Sequence, residues 1–97
     1  MLTHIVIWKY KPEVSEEQRR EHVERLQRLG GLIPEIRSFA VGRDVLRLPR
    51  SYHTGLAATF DDRAGLEAYD AHPEHQAVVQ IGRAISEHVA SVDFEDD

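Results

Sequence analysis

Leu2-Thr3-His4-Ile5-Val6-Ile7-Trp8-Lys9-Tyr10 is short, β-branched and aromatic, the composition of a β-strand. Successive side chains of a strand point to opposite faces. His4, Val6 and Trp8 therefore share one face, and Ile5, Ile7 and Lys9 share the other. Both faces are largely apolar, so both need a cover, and the rest of the chain must be read for what supplies it.

Lys11-Pro12 closes this strand. Ser15-Glu16-Glu17-Gln18 is a capping box, in which the serine hydroxyl and the glutamine side chain satisfy each other's backbone N–H groups. Beyond it His22/Val23, Leu26 and Leu29 recur at helical spacing, with Arg20, Glu21, Glu24, Arg25 and Arg28 on the outer arc. Gly30-Gly31, followed by Pro34, reads as the helix stop. Residues Ile36 to Leu48 predict a second strand with Phe39, Val41 and Val45 as its apolar members, and Gly42 marks a bulge or a close approach. Pro49-Arg50-Ser51 is a turn. His53 to Phe60 predicts a third strand, whose small residues Gly55, Ala57 and Ala58 call for something packed tightly against it.

Asp61-Asp62 caps a helix over Arg63 to Ala71, with Leu66 and Tyr69 on one side. A residue before proline avoids the α region, so His72 is a joint, and Pro73 suits the first position of another helix. That helix runs from Glu74 to about Glu87, with Ala77, Val78, Ile81 and Ile85 as its buried stripe. His88 to Phe94 predicts the last strand, and an acidic tail follows.

The order is β-α-β-β-α-β over one domain, residues 1–97. It is the α+β, ferredoxin-like arrangement: a four-stranded antiparallel sheet with its helices on one face. With 97 residues, no element remains for the other face. A second copy is the natural lid, which predicts a homodimer formed sheet-on-sheet into an α/β barrel.

Twelve basic against seventeen acidic residues give a net charge of −5. A nucleic-acid partner needs a basic face to displace counterions, and this balance offers none; anionic membranes are disfavoured for the same reason. No apolar run approaches the ~20 residues of a membrane-spanning helix. The start runs straight into the strand with no basic leader or cleavage site, so no signal peptide is expected, and the lack of cysteine fits a cytoplasmic location. The absence of cysteine excludes disulfides, thiol nucleophiles and thiolate-held clusters. No glycine-rich loop opens a helix, and no serine sits in a nucleophile elbow.

Six histidines in so short a chain are the compositional oddity. With Pro73 at N1, His75 falls at N3, where the helix dipole disfavours imidazolium and should lower its pKa, as a general base requires. His72 and His75 form an H-x-x-H pair, but Pro73 takes them off a common helical face and two histidines fall short of a three-ligand set. Neither a metal nor a cofactor is predicted. His4 faces the pocket region if its side of the strand looks at the helices. Trp8 is then either a pocket wall or core, and His72 a hinge whose ring bonds local backbone. His22, His53 and His88 read as surface or interface residues.

Several segments together carry a family resemblance: Met1-Leu2-Thr3-His4-Ile5-Val6, Ile33-Pro34-Glu35-Ile36, Val41-Gly42, Ala68-Tyr69-Asp70-Ala71-His72-Pro73-Glu74-His75 and Val92-Asp93-Phe94-Glu95. The chain resembles the stress-responsive dimeric A/B barrel (Dabb) domain family over nearly its whole length, Tyr-x-x-His-Pro-x-His being the most specific part. The resemblance implies a ferredoxin-like protomer that pairs into a barrel. It implies the reaction less sharply, because the family holds stress-induced oligomers without assigned activity as well as plant polyketide cyclases. Those cyclases use a tyrosine and a histidine that correspond here to Tyr69 and His75. On that reading Tyr69 donates to a carbonyl oxygen while His75 removes an α-proton, and His4, Trp8 and His72 contribute to binding a small organic molecule. The other reading is a non-enzymatic stress-response module acting through its oligomeric surface.

Overall fold

The computed structural model describes residues 1–96; Asp97, the end of the acidic tail, lies outside the described residues. The element order is β1 (Leu2–Tyr10), α1 (Glu16–Leu32), β2 (Ser38–Arg43), β3 (Thr54–Phe60), α2 (Arg63–Ala71), α3 (Pro73–Ile85) and β4 (Ser86–Glu95). The strands form one antiparallel sheet in the order β2-β3-β1-β4, the ferredoxin-like arrangement, with its second helical segment divided into α2 and α3. β1 is central, and its even-numbered residues face the helices. Leu2, Trp8 and Tyr10 enter the core with Leu56, Ala58 and Phe60 of β3 and Val23, Leu26 and Leu29 of α1.

The odd side of β1 has no cover among the described residues. Ile5 lies between Ala57 and Val92, and Ile7 between Gly55 and Ala90. Val92 and Phe94 are exposed on that face. Gly55 and Ala57 help line a shallow apolar concavity there, whereas Ala58 is wholly buried beneath the helices. The small residues of β3 thus serve two different faces.

α1 starts at the capping box: Gln18 N donates to Ser15 Oγ at 3.1 Å, and Ser15 N donates to Gln18 Oε1 at 3.0 Å. It does not stop at Gly30-Gly31 but continues to Leu32, and Ile33 N closes on Leu29 O. Gly30 has a packing reason instead: a Cβ there would lie 2.9 Å from Phe39 Cδ2. The predicted strand from Ile36 to Leu48 contracts to six residues. Local bonds replace the ladder beyond it: Arg47 N donates to Asp44 Oδ2 at 2.7 Å, Leu48 N to Ser51 Oγ at 3.1 Å, and Arg47 takes a positive φ of 53°. The third strand begins at Thr54, one residue after His53. α3 ends at Ile85 and β4 begins at Ser86, earlier than predicted, because Ser86 pairs with Tyr10 across a register shift in β1. The buried stripe of α3 is also rotated from the expected one. His75, Val78 and Gly82 face inward, and Ala77 is exposed.

Candidate active site

Tyr69 projects from the last turn of α2 and is 2% exposed, held among Phe39, Phe60, His4 and His75. His75 stands in the first turn of α3 and is 9% exposed. The joint between the two helices sets their relation. His72 closes α2 with its N–H on Tyr69 O at 3.1 Å, and caps α3 by accepting Glu74 N on Nδ1 at 3.1 Å. Asp62, at the other end of α2, accepts Gly65 N at 2.9 Å. The chain therefore turns sharply at His72-Pro73 and brings the Tyr69 and His75 rings to 4.3 Å between centroids, inclined at 41°.

Nδ1 of His75 is 3.0 Å from the backbone carbonyl of Asp70, and a carbonyl can only accept. Nδ1 therefore carries the hydrogen, and Nε2 presents its lone pair without a partner among the described residues. Burial pushes the His75 pKa down, against the opposing influence of Asp70. The direction is the one read from the sequence, and desolvation is its largest cause. Burial pushes the Tyr69 phenol well above its ordinary value, helped by the Asp70 carboxylate. The pair is thus a neutral imidazole with a free acceptor beside a phenol that keeps its proton.

Both side chains line a cavity of about 320 Å³ between the sheet and the helices, with His4, Trp8, Val78 and Arg83 among its other walls. His4 reaches it from β1. Its Nδ1 bonds the Asp93 carboxylate of β4, and its ring meets Tyr69 edge-on at 5.8 Å. Trp8 is 8% exposed and is wall and core at once. His72 is not among the lining residues; its ring is engaged in the helix cap. No group of three or more metal-ligating side chains comes together among the described residues.

His22 departs from its expected surface position. It is 1% exposed, with Nδ1 2.7 Å from the Tyr10 hydroxyl, which also bonds Thr54 Oγ1 at 2.9 Å. Its ring packs edge-on to Trp8 at 5.2 Å, and its Nε2 has no partner among the described residues. Burial lowers its pKa to about 4. His53 sits at the head of β3, accepts Tyr10 N on Nδ1 at 2.9 Å and stacks on the Tyr10 ring. Sequence reasoning also passed over Arg83. The spacing His75, Val79, Arg83 was the available signal, since residues four apart share a helical face.

The family described as the stress responsive A/B barrel domain matches residues 2–96. The chain belongs to this family. It is 31% identical over 85 residues to an uncharacterised protein of Streptomyces coelicolor, covering 86% of this chain and 88% of that one. It is 25% identical over 93 residues to olivetolic acid cyclase of Cannabis sativa, covering 94% and 92% respectively. Its fold superposes with a TM-score of 0.88 on a dimeric ferredoxin-like protein of unknown function from Thermobifida fusca, at 27% identity, covering 96% of this chain and 88% of that one. The A/B barrel chain has no helix among its described residues that is long and apolar enough to cross a membrane.

Proposed function

We propose that the cavity is a cofactor-free acid/base site for a small carbonyl compound. The observation that carries this reading is the 4.3 Å pairing of Tyr69 with a His75 whose Nδ1 is committed to the Asp70 carbonyl. The Tyr69 hydroxyl donates a hydrogen bond to the substrate's carbonyl oxygen. His75 Nε2 takes a proton from the adjacent carbon, and the electrons of the broken C–H bond form the enolate, whose charge the phenol stabilises as it develops. The enolate carbon then attacks a second carbonyl, as in cyclisation, and the new alkoxide is the acceptor for the proton held on His75; in the reverse sense His75 takes the proton of a β-hydroxyl, the C–C bond breaks, and the enolate carbon is the acceptor. His75 returns its proton to close the cycle. His4, oriented by Asp93, supports the Tyr69 ring, and Trp8 walls the apolar side.

The same reading includes a homodimer. The apolar face of Ile5, Ile7, Val92 and Phe94 is the surface that a second sheet would cover, and the Thermobifida relative described above is dimeric.

The test is a screen of β-keto and 1,3-dicarbonyl compounds for condensation or cleavage products. His75→Ala should lower turnover by about 10²–10⁴-fold, the usual contribution of a positioned base, with little change in melting temperature. Tyr69→Phe should also lower it, since the ring remains and the donor goes. An unfolded His75→Ala protein, or turnover unchanged in a folded one, would make the residue structural.

A further inference from the structure

We propose that Arg83 makes the end of the cavity remote from Tyr69 and His75 an anion subsite, so that the ligand is an amphipathic carbonyl compound carrying a carboxylate or similar anion at its far end. The position of the carbonyl rests on the acid/base reading above; the anion subsite stands on separate observations. His75, Val79 and Arg83 occupy one face of α3 and all line the cavity. Eight residues at ~1.5 Å each place the outer two about 12 Å apart along the helix axis. Most of the other walls are apolar, among them Val6, Trp8, Leu56, Val78 and Val79, with Ser91 a polar exception.

Among the described residues Arg83 is the one Lys or Arg on those walls. Arg20, Arg25, Arg37, Arg43 and Arg63 each pair with a carboxylate, but Arg83 has no ion pair or side-chain hydrogen bond among the described residues. Among the described residues the acidic group on the cavity wall is Asp70, at the opposite end, its carboxylate 4.0 Å from His75 Nδ1. The cavity is therefore polarised, acidic beside the reacting pair and basic at the far end. An anionic chain terminus is repelled from the first and attracted to the second, which fixes the direction in which an elongated ligand enters. The planar guanidinium suits two parallel bonds to a carboxylate.

Trp8 is the chain's single tryptophan and lines the cavity, so its fluorescence reads occupancy directly. The experiment titrates the full chain with octanoate, octanol and octylamine, which share a tail and differ in head group. Octanoate should bind about fivefold tighter than octanol, the scale of an ion pair to an exposed arginine, whereas octylamine, drawn to the Asp70 end, should bind wild type and Arg83→Gln alike. Arg83→Gln should bring octanoate and octanol within about twofold of each other, with the melting temperature and the unliganded Trp8 emission unchanged. His75→Gln should retain the preference. The proposal is overturned if the wild-type protein shows no preference or binds none of the three, if Arg83→Gln keeps the preference, or if His75→Gln abolishes it, since the anion would then sit at the start of α3. Octanoate preference in a protein that turns over no carbonyl compound would support the subsite and remove the acid/base reading; turnover without the preference would do the reverse.

Discussion

At the residue scale, one contact decides what His75 can do: with Nδ1 held by a backbone carbonyl, the free nitrogen can only be Nε2. Its place at the start of a helix was legible because Pro73 fixes the register. The contact with Asp70 was not, since it depends on how the chain turns at His72. His22 shows the other limit. It fell among both apolar and charged neighbours in the helical pattern, and its burial follows from Tyr10 and Trp8, which only the tertiary fold brings over it. Buried and neutral, His22 makes stability depend on pH. The unfolded chain protonates it below about 6.5, but the folded chain only below about 4. Its contribution is complete above the first value, declines as pH falls between the two, and changes no further below the second. The decline amounts to at most about 3 kcal/mol. Urea unfolding from pH 7 to pH 4 should show it, and His22→Gln should flatten that slope whatever its effect on absolute stability. An equal slope in the variant would assign the decline to other groups.

At the element scale, local chemistry named every strand and helix but misplaced several ends. The capping box and Pro73 were read correctly because each satisfies backbone groups within a few residues. At Gly30 the local pattern spells a stop, because packing against Phe39, nine residues further on, is invisible to it. The strand after it shortened because Asp44 and Ser51 offered the backbone nearer partners. The adjacent glycines therefore make opposite predictions. At Gly31 a Cβ meets, beyond its own helix backbone, none of the described residues within 4 Å, so Gly31→Ala should stabilise by about 0.5–1 kcal/mol through helix propensity. Gly30→Ala gains the same propensity but drives a Cβ to 2.9 Å from the Phe39 ring, and should destabilise by about 1–3 kcal/mol. Denaturant unfolding of the two variants checks both signs. A stabilised Gly30→Ala would mean that Phe39 is free to move.

At the scale of the whole molecule, the alternation in Leu2–Tyr10 foretold two covered faces, and the fold accounts for one of them. The helices cover the side of Trp8 and Tyr10, leaving Ile5, Ile7, Val92 and Phe94 uncovered among the described residues. Sedimentation should give twice the 11.1 kDa chain mass, and Val92→Glu should shift it toward a single chain. A wild-type monomer would leave that face unexplained. The cavity was only partly legible: His4, Trp8, Tyr69 and His75 could be placed at it from strand alternation and the Tyr-x-x-His-Pro-x-His segment. Its far wall needed the true rotation of α3. Proton removal by His75 is the step on which the proposed chemistry turns. In deuterated water, NMR can follow exchange of the α-protons of carbonyl compounds before any later bond is made or broken. The wild-type protein should accelerate that exchange, and a folded His75→Ala variant should not; equal exchange with both proteins would contradict the account.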